Sequence, residues 1–275
     1  MAEGAAAQLE GTALHAGGRV TVTLIREPGP ICWQQRGRRA PLAAFRVTRT
    51  DRGVTIAAAV EGGEIAVDLV EHLLAALAGL GIREGVRIAT DDGELPLLDG
   101  GARRFAEALR QIDAPGGAAP RLTVTRSAAF AHGGSFYRFQ TADEIGVRVE
   151  VDFPSPVGRQ RAAWRGDSHD FLARIAPART FGWESEAEAL RASGRATAVD
   201  LESVIVFGAS GAVRGGALAA PDEPARHKLL DLLGDLALYG GPPRGRVMAL
   251  RPGHTATHSV VAQAWEAGVL APGPV

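Results

Sequence analysis

The order of the predicted elements indicates an α+β fold, because strands come first in each half of the chain and helices follow them. The segment Asp113–Pro120 contains two prolines and two glycines, which disfavour helix and strand, and it divides the 275 residues into comparable halves. In each half the main predicted helix carries a histidine followed seven residues later by a glycine, at His72 and Gly79 and at His227 and Gly234. These matched positions suggest that the two halves are built alike.

In the first half, alternating apolar residues predict a strand at Arg19–Ile25. Apolar residues at helical spacing predict a helix over Val67–Leu80. The remaining predicted elements are strands at Phe45–Thr48, Val54–Val60 and Val86–Thr90 and a helix at Ala102–Ile112.

In the second half, the strongest helix signal is Glu223–Tyr239, and two further helices are predicted at Asp167–Ile175 and Glu184–Ser193. Val260–Gly268 is predicted to be the last helix. Strands are predicted at Arg121–Thr125, Phe136–Gln140, Gly146–Phe153, Ser203–Phe207 and Val247–Leu250.

Composition excludes several classes of protein. With 30 basic and 31 acidic residues the net charge is −1, which argues against a dedicated nucleic-acid binder. The single cysteine, Cys32, rules out a disulfide framework, and charges interrupt every apolar stretch before it reaches membrane-spanning length. The first residues show no secretory signal, so we expect a globular protein in the cytoplasm.

Lys228 is the only lysine among the 30 basic residues, and asparagine is absent. A general compositional bias explains the arginines. A position that keeps lysine against this bias is a candidate for a role that the planar guanidinium of arginine cannot fill.

The helix around Lys228 carries a polar stripe. His227, Asp231 and Asp235 lie at i, i+4 and i+8, on one face of a helix that is otherwise rich in leucine. A histidine and an aspartate one turn apart can bind one divalent metal ion. The alternative is that the two side chains only form hydrogen bonds with each other and with a neighbouring loop.

A catalytic metal site needs a third protein ligand, and His72 on the other apolar helix is the candidate. Its neighbour Glu71 points in another direction and could act as a general base on a water molecule. The alternative for His72 is a core histidine.

His254 follows a Pro-Gly pair, which predicts a turn after a strand. It could act as a general acid if Asp235 raised its pKa, and the alternative is an exposed loop residue. Three other histidines are predicted to lie at the surface, namely His132, His169 and His258.

Eight segments, in order and spanning nearly the whole chain, resemble those of one family, the zinc-dependent UDP-3-O-acyl-N-acetylglucosamine deacetylases of lipid A biosynthesis. These segments are Leu14–Gly17, Val70–Leu73, Ala75–Ile82, Glu94–Gly100, Ala178–Gly182, Arg226–Asp231, Gly234–Leu236 and Gly253–His254. The resemblance implies two similar α+β domains, each a sheet with helices, whose helices pack together in a central layer. We expect these domains at residues 1–115 and 119–275.

The resemblance also implies roles for site residues. Zn²⁺ is expected on His72, His227 and Asp231, with Glu71 activating water and His254, oriented by Asp235, stabilising or protonating the reacting centre. Thr180 is expected beside the oxyanion, Lys228 at the anionic part of the substrate, and Phe181 and Val199 along the substrate. Residues 191–206 correspond to the segment that wraps the acyl chain.

The chain departs from the family pattern at Ala198–Asp200, where a Gly-Gly-Ser run is usual, and at Thr257–Ser259, where Asn and Lys are common. The expected function is removal of acetate from the 2-acetamido group of an acylated UDP-sugar by a monomeric enzyme whose product is handled at a membrane surface. The alternatives are a zinc amidohydrolase with another acyl or sugar substrate, and a catalytically silent relative that binds nucleotide sugar or lipid.

Overall fold

The computed structural model describes residues 4–15, 17–118, 120–186, 203–208 and 213–273. In the first half, seven strands precede a helix, an eighth strand and a second helix. They are β1 (Ala6–Ala13), β2 (Gly18–Pro30), β3 (Cys32–Gln35), β4 (Arg38–Pro41), β5 (Arg46–Arg49), β6 (Thr55–Val60), β7 (Gly63–Val67), α1 (Glu71–Gly79), β8 (Glu84–Thr90) and α2 (Arg103–Gln111).

The second half follows the same order, with a short helix α3 (Ser168–Asp170) that continues into a π-helical segment, Phe171–Ile175. Its other elements are β9 (Leu122–Val124), β10 (Ala128–His132), β11 (Ser135–Gln140), β12 (Ile145–Asp152), β13 (Arg159–Trp164), β14 (Thr180–Trp183), β15 (Val204–Phe207), β16 (Val213–Arg214), α4 (Glu223–Ala237), β17 (Gly245–Leu250), α5 (His254–Glu266) and β18 (Leu270–Pro272).

The two halves share one topology, which confirms the predicted α+β fold of two similar units. One five-stranded sheet has the order β1-β2-β8-β3-β4, and the other has the order β10-β11-β17-β12-β13. In each sheet only the third and fourth strands of this order are parallel. Each half also has a three-stranded sheet, β5-β6-β7 or β14-β15-β16, just before its main helix in the chain. Helices α1 and α4 therefore occupy equivalent places.

Helices α1 and α4 pack against each other within a single core that both five-stranded sheets share. Every residue of α1 is buried, and side chains from both sheets, such as Leu24 and Phe139, join this core. The two helices approach closely at Gly234, where an added Cβ atom would lie 2.1 Å from the carbonyl oxygen of Glu71. The glycine is therefore required by the spacing of the two backbones.

Two helices begin four or more residues away from their predicted starts, and β2 extends to Pro30, five residues beyond the predicted end. Helix α1 begins at Glu71 rather than Val67, because Val67 ends β7 and Leu69, with a φ of 58°, turns the chain between strand and helix. Helix α5 begins at His254, six residues before the predicted start. The helix predicted at Glu184–Ser193 falls mostly outside the described residues, and the domain limits stay a prediction.

Within the described ranges, no helix has both the length and the apolar character that crossing a bilayer requires.

Candidate active site

The three candidate metal ligands meet between the two halves of the protein. Helix α1 contributes His72, and α4 contributes His227 and Asp231, and one ligand atom from each lies within 4.8 Å of the others. The Asp231 Oδ1 atom lies 3.4 Å from His227 Nε2 and 3.9 Å from His72 Nε2. All three side chains are buried, so the group is closed off from bulk solvent on most sides.

The protonation of this group fits a divalent metal. His227 Nδ1 donates a hydrogen bond to the carbonyl oxygen of Ala178 at 3.0 Å, which leaves the Nε2 lone pair facing Asp231. Burial lowers the pKa of the His227 ring and lowers the pKa of His72 to about 3, so both rings are neutral ligands. Two neutral imidazoles and a carboxylate are a donor set that zinc accepts.

Asp231 is held as a carboxylate from two sides. Burial opposes its charge, but His227 and Lys228 outweigh this effect and hold its pKa well below the usual range. Oδ1 faces the two imidazoles, whereas Oδ2 accepts a hydrogen bond from Lys228 Nζ at 2.5 Å. Burial also disfavours the Lys228 ammonium, yet Asp231 keeps the lysine pKa above its ordinary value. Lys228 is therefore a charged, mostly buried group that lines the cavity.

Glu71 is the first residue of α1 and lines the same cavity as His72, His227 and Asp231, called the metal group below because they could hold a metal ion. Its Oε2 atom accepts a hydrogen bond from the backbone N–H of Val54 at 3.0 Å, which fixes the carboxylate. Burial raises the pKa of Glu71, against an opposing effect of His254. A carboxylate with a raised pKa is a better proton acceptor, which suits a general base.

His254 and Asp235 form a buried pair near the candidate metal ligands. The Asp235 oxygens Oδ1 and Oδ2 lie 2.8 Å and 3.0 Å from His254 Nδ1. Burial disfavours the imidazolium, but Asp235 outweighs it and raises the pKa of His254 to about 9. The carboxyl pKa of Asp235 falls to about 2, because His254 outweighs the effect of burial. His254 is thus a cation at neutral pH.

A short strand brings Thr180 and Phe181 to the cavity, and a buried ion pair fixes the residues before it. Arg179 Nε donates a hydrogen bond to Oε1 of Glu223, at the start of α4, at 2.9 Å, and that carboxylate is 1% exposed. The Arg179 backbone N–H also donates to Glu223. The Phe181 ring lies 6.0 Å from the ring of His227, measured between centroids.

The cavity has a volume of about 500 Å³ and is lined by both charged and apolar side chains. The charged and polar lining residues include the three candidate metal ligands together with Glu71, Lys228 and His254. Four aromatic rings form a cluster at the cavity wall, with edge-on or tilted contacts at centroid distances of 5.3–6.1 Å: Phe153, Phe181, Trp183 and Phe207. An elongated ligand with one reactive and one apolar part fits such a space.

Most residues singled out in the sequence meet at this cavity. Those that line it are Glu71, His72, Thr180, Phe181, His227, Lys228, Asp231 and His254. Asp235 lies beside it, in contact with His254. Val199 lies outside the described residues.

Two further histidines belong to the same region. His15 also lines the cavity, a position that the sequence did not predict. The prediction that His258 lies at the surface is wrong: it is 9% exposed and contacts Asp235, because helix α5 begins early and turns it inward. His169 is exposed, as predicted.

Comparison with known proteins agrees with this geometry. Residues 4–266 match the family model described as LpxC, UDP-3-O-acyl N-acetylglycosamine deacetylase. A protein of Myxococcus xanthus (strain DK1622), named UDP-3-O-acyl-N-acetylglucosamine deacetylase, is 32% identical over 263 residues, covering 93% of this chain and 82% of the relative.

Two other relatives carry the same name. One, from Thermosynechococcus vestitus, is 34% identical over 256 residues, which are 90% of this chain and 87% of the relative. Another, from Brucella melitensis biotype 2, is 33% identical over 261 residues, with 91% and 90% covered. The chain belongs to the UDP-3-O-acyl-N-acetylglucosamine deacetylase family.

Proposed function

We propose that this protein is a zinc-dependent deacetylase that hydrolyses the 2-acetamido group of a UDP-3-O-acyl-N-acetylglucosamine and releases acetate, in lipid A biosynthesis. One observation carries the proposal: a buried two-histidine, one-carboxylate group lies with a fixed carboxylate and a cationic histidine around the same cavity. The names of the relatives supply the substrate.

The zinc ligands in this proposal are His72, His227 and Asp231, which the protonation described above leaves ready to bind a cation. The chemistry that zinc supplies in such a site is polarisation of a carbonyl group and a lowered pKa of water. The Ala178 carbonyl oxygen orients the His227 ring by accepting a hydrogen bond from Nδ1. The Lys228 ammonium binds Oδ2 of Asp231, which leaves Oδ1 facing the two imidazole rings.

Glu71 takes a proton from the water that attacks the amide carbon. Its carboxylate is anchored by the N–H of Val54, so it enters the reaction already oriented. As the C–N bond breaks, the same group returns a proton to the leaving amine, which yields acetate and the free amino sugar.

His254 faces the reacting centre as a cation. Negative charge develops on the amide oxygen as its carbon becomes tetrahedral, and a preformed imidazolium stabilises that charge without reorganisation. Asp235 keeps the imidazolium charged and oriented through its contact with Nδ1. The hydroxyl of Thr180, which lines the cavity, is the second donor proposed for this oxygen.

Charged and apolar lining residues of the cavity bind the remainder of the substrate in this proposal. Lys228 is the nearby cation for the anionic part of the substrate, and Phe181 begins the aromatic wall along which the acyl chain lies. Burial of an acyl chain against aromatic rings contributes about 0.8 kcal/mol for each CH₂ group removed from water.

The pH dependence should reflect His254. Because its raised pKa is about 9, the cation is present below that pH, and kcat/KM is expected to fall as the pH rises through about 9. Asp235→Asn removes the charge that raises this pKa, so the alkaline limb should move to lower pH by about one unit or more. The measurement is kcat/KM from pH 5 to 10, with the exposed Asp143→Asn as control. An alkaline limb that stays in place in Asp235→Asn would contradict this assignment.

Lys228→Arg tests why one lysine persists in the chain. The ammonium fits between Asp231 and the cavity, whereas a guanidinium is wider and would displace the carboxylate or enter the substrate space. We expect kcat/KM to fall at least about tenfold, or about 1.4 kcal/mol, with unchanged folding and zinc content. Arg226→Lys, two residues earlier on the same helix, is the matched control. Wild-type kinetics in Lys228→Arg would show that the choice of lysine is neutral.

The function itself is tested by metal analysis together with an acetate-release assay. Purified protein should contain one zinc per chain and release acetate from a UDP-3-O-acyl-N-acetylglucosamine. Substrates with long, short and no acyl chains distinguish this enzyme from an amidohydrolase with another preference. Stoichiometric zinc without turnover of any of them would favour a silent binding protein and overturn the proposal.

A further inference from the structure

His258 is a buried histidine that the mechanism above does not use. It lies on α5 one turn after His254, and both of its ring nitrogens face polar atoms. Its Nε2 atom lies 3.4 Å from Asp235 Oδ1, and its Nδ1 atom lies 2.8 Å from the hydroxyl oxygen of Tyr239. The chain thus contains a continuous buried series of four groups, Tyr239, His258, Asp235 and His254.

The direction of these contacts follows from the charge of Asp235. Since this carboxyl is ionised, it attracts a hydrogen on the Nε2 atom of His258 and repels a lone pair there, so the Nε2–H form is favoured. In a neutral ring Nδ1 is then the acceptor, so the Tyr239 hydroxyl donates to it. Tyr239 consequently favours the tautomer whose Nε2–H faces Asp235.

We propose that His258 is a positioning residue that, with Tyr239, holds the Asp235 carboxylate in its orientation toward His254. The inference rests on the proposed function only in that His254 is taken to act on the substrate. A carboxylate bound by one ring alone can rotate about its Cβ–Cγ bond. The 3.4 Å contact of His258 Nε2 with Oδ1 opposes that rotation electrostatically and keeps both oxygens near His254 Nδ1, at 2.8 Å and 3.0 Å.

The surroundings leave His258 with one charged acceptor. Among the described residues, Asp235 is the only carboxylate within ion-pair distance of it. The other titratable groups around it are Tyr239 at the end of α4, His254 on its own helix, and Tyr137 of β11, whose hydroxyl bonds Thr257 next to it. Thr257 in turn donates to the carbonyl oxygen of Gly253, which fixes the first turn of α5 and hence both histidines.

The experiment compares the full zinc-loaded chain with His258→Gln, His258→Leu and Tyr239→Phe, with the exposed His169→Gln as control. Gln places an amide N–H near the position of Nε2, whereas Leu removes the donor and keeps comparable volume. One readout is the ¹⁵N NMR spectrum of the labelled histidines, which reports tautomers without turnover. The other is kcat and KM as functions of pH.

We expect the Nε2–H tautomer for His258 in the wild type and a mixture of tautomers in Tyr239→Phe. His258→Leu should lower kcat about tenfold at unchanged KM and zinc content, and shift the alkaline limb of kcat to lower pH. In His258→Gln, kcat and the position of its alkaline limb should both lie close to the wild-type values. A rotated carboxylate supports the His254 cation less well, which explains the direction of the shift.

An Nδ1–H tautomer in the wild type, or wild-type kcat and pH profile in His258→Leu, would overturn the proposal. A shift of the alkaline limb to higher pH would also overturn it, because it would mean that His258 competes with His254 for Asp235. Because the NMR readout needs no substrate, failure of the proposed deacetylation would leave the positioning test intact.

Discussion

Replacing Glu71 with Gln is expected to lower kcat by about two to four orders of magnitude while zinc remains bound. The amide of Gln can still accept the N–H of Val54 through its oxygen, so the side chain stays in place. It cannot take a proton from water, however, and the hydrolytic step loses its base. The measurement is acetate release under saturating substrate, together with zinc content and thermal unfolding.

Glu64→Gln is the matched control for this change, because Glu64 lies on the exposed edge of β7 in the segment that leads to α1. It should retain wild-type kcat. Full activity in Glu71→Gln would remove Glu71 from the mechanism. Loss of zinc in that variant would instead assign Glu71 to the metal group.

Gly234→Ala is expected to lower both stability and activity. The new methyl group would meet the backbone oxygen of Glu71 at 2.1 Å, and a backbone atom of a buried helix cannot move without moving the helix. Overpacking of this kind costs about 1–3 kcal/mol. Because the displaced backbone carries Glu71 and His72, zinc affinity should fall together with the free energy of unfolding.

The control for this prediction is Gly93→Ala, since a Cβ at Gly93 would find its nearest neighbour, the Ala66 oxygen, at 3.5 Å. Chemical unfolding and zinc competition with a chelator measure the two effects. If Gly234→Ala unfolds at the wild-type denaturant concentration and retains zinc, then the close contact between α1 and α4 is not required.

The metal group could be predicted largely from the sequence, because part of it is local. His227 and Asp231 are one helical turn apart, so they share one face of the helix. A polar stripe on an otherwise apolar helix indicates that this face lines an internal site, and this can be inferred without knowledge of the fold. His72 is distant along the chain and could be added only by reasoning about ligand number and by the family resemblance. The order of the strands in each sheet was likewise beyond local pattern, because pairing depends on residues far apart.

The role of His258 could not be predicted, and the reason is the start of one helix. Pro252 and Gly253 indicate a turn, so the sequence predicts His254 in a turn and His258 at the surface. Hydrogen bonds of Thr257 with Gly253 and Tyr137 start the helix earlier, and Tyr137 comes from a distant strand. Strand β1 was missed for a different reason: two of its buried residues, Ala7 and Ala13, are alanines, which give little β signal.

The equivalence of α1 and α4 has a consequence for the integrity of the protein. On α4 the turns after His227 carry two carboxylates, Asp231 and Asp235, whereas the positions at the same spacing after His72 are Ala76 and Leu80. The two halves share an architecture but not the chemistry, and neither one alone holds three ligands. Separately produced halves should therefore lack deacetylase activity. A bound ion would link the two halves and stabilise their association.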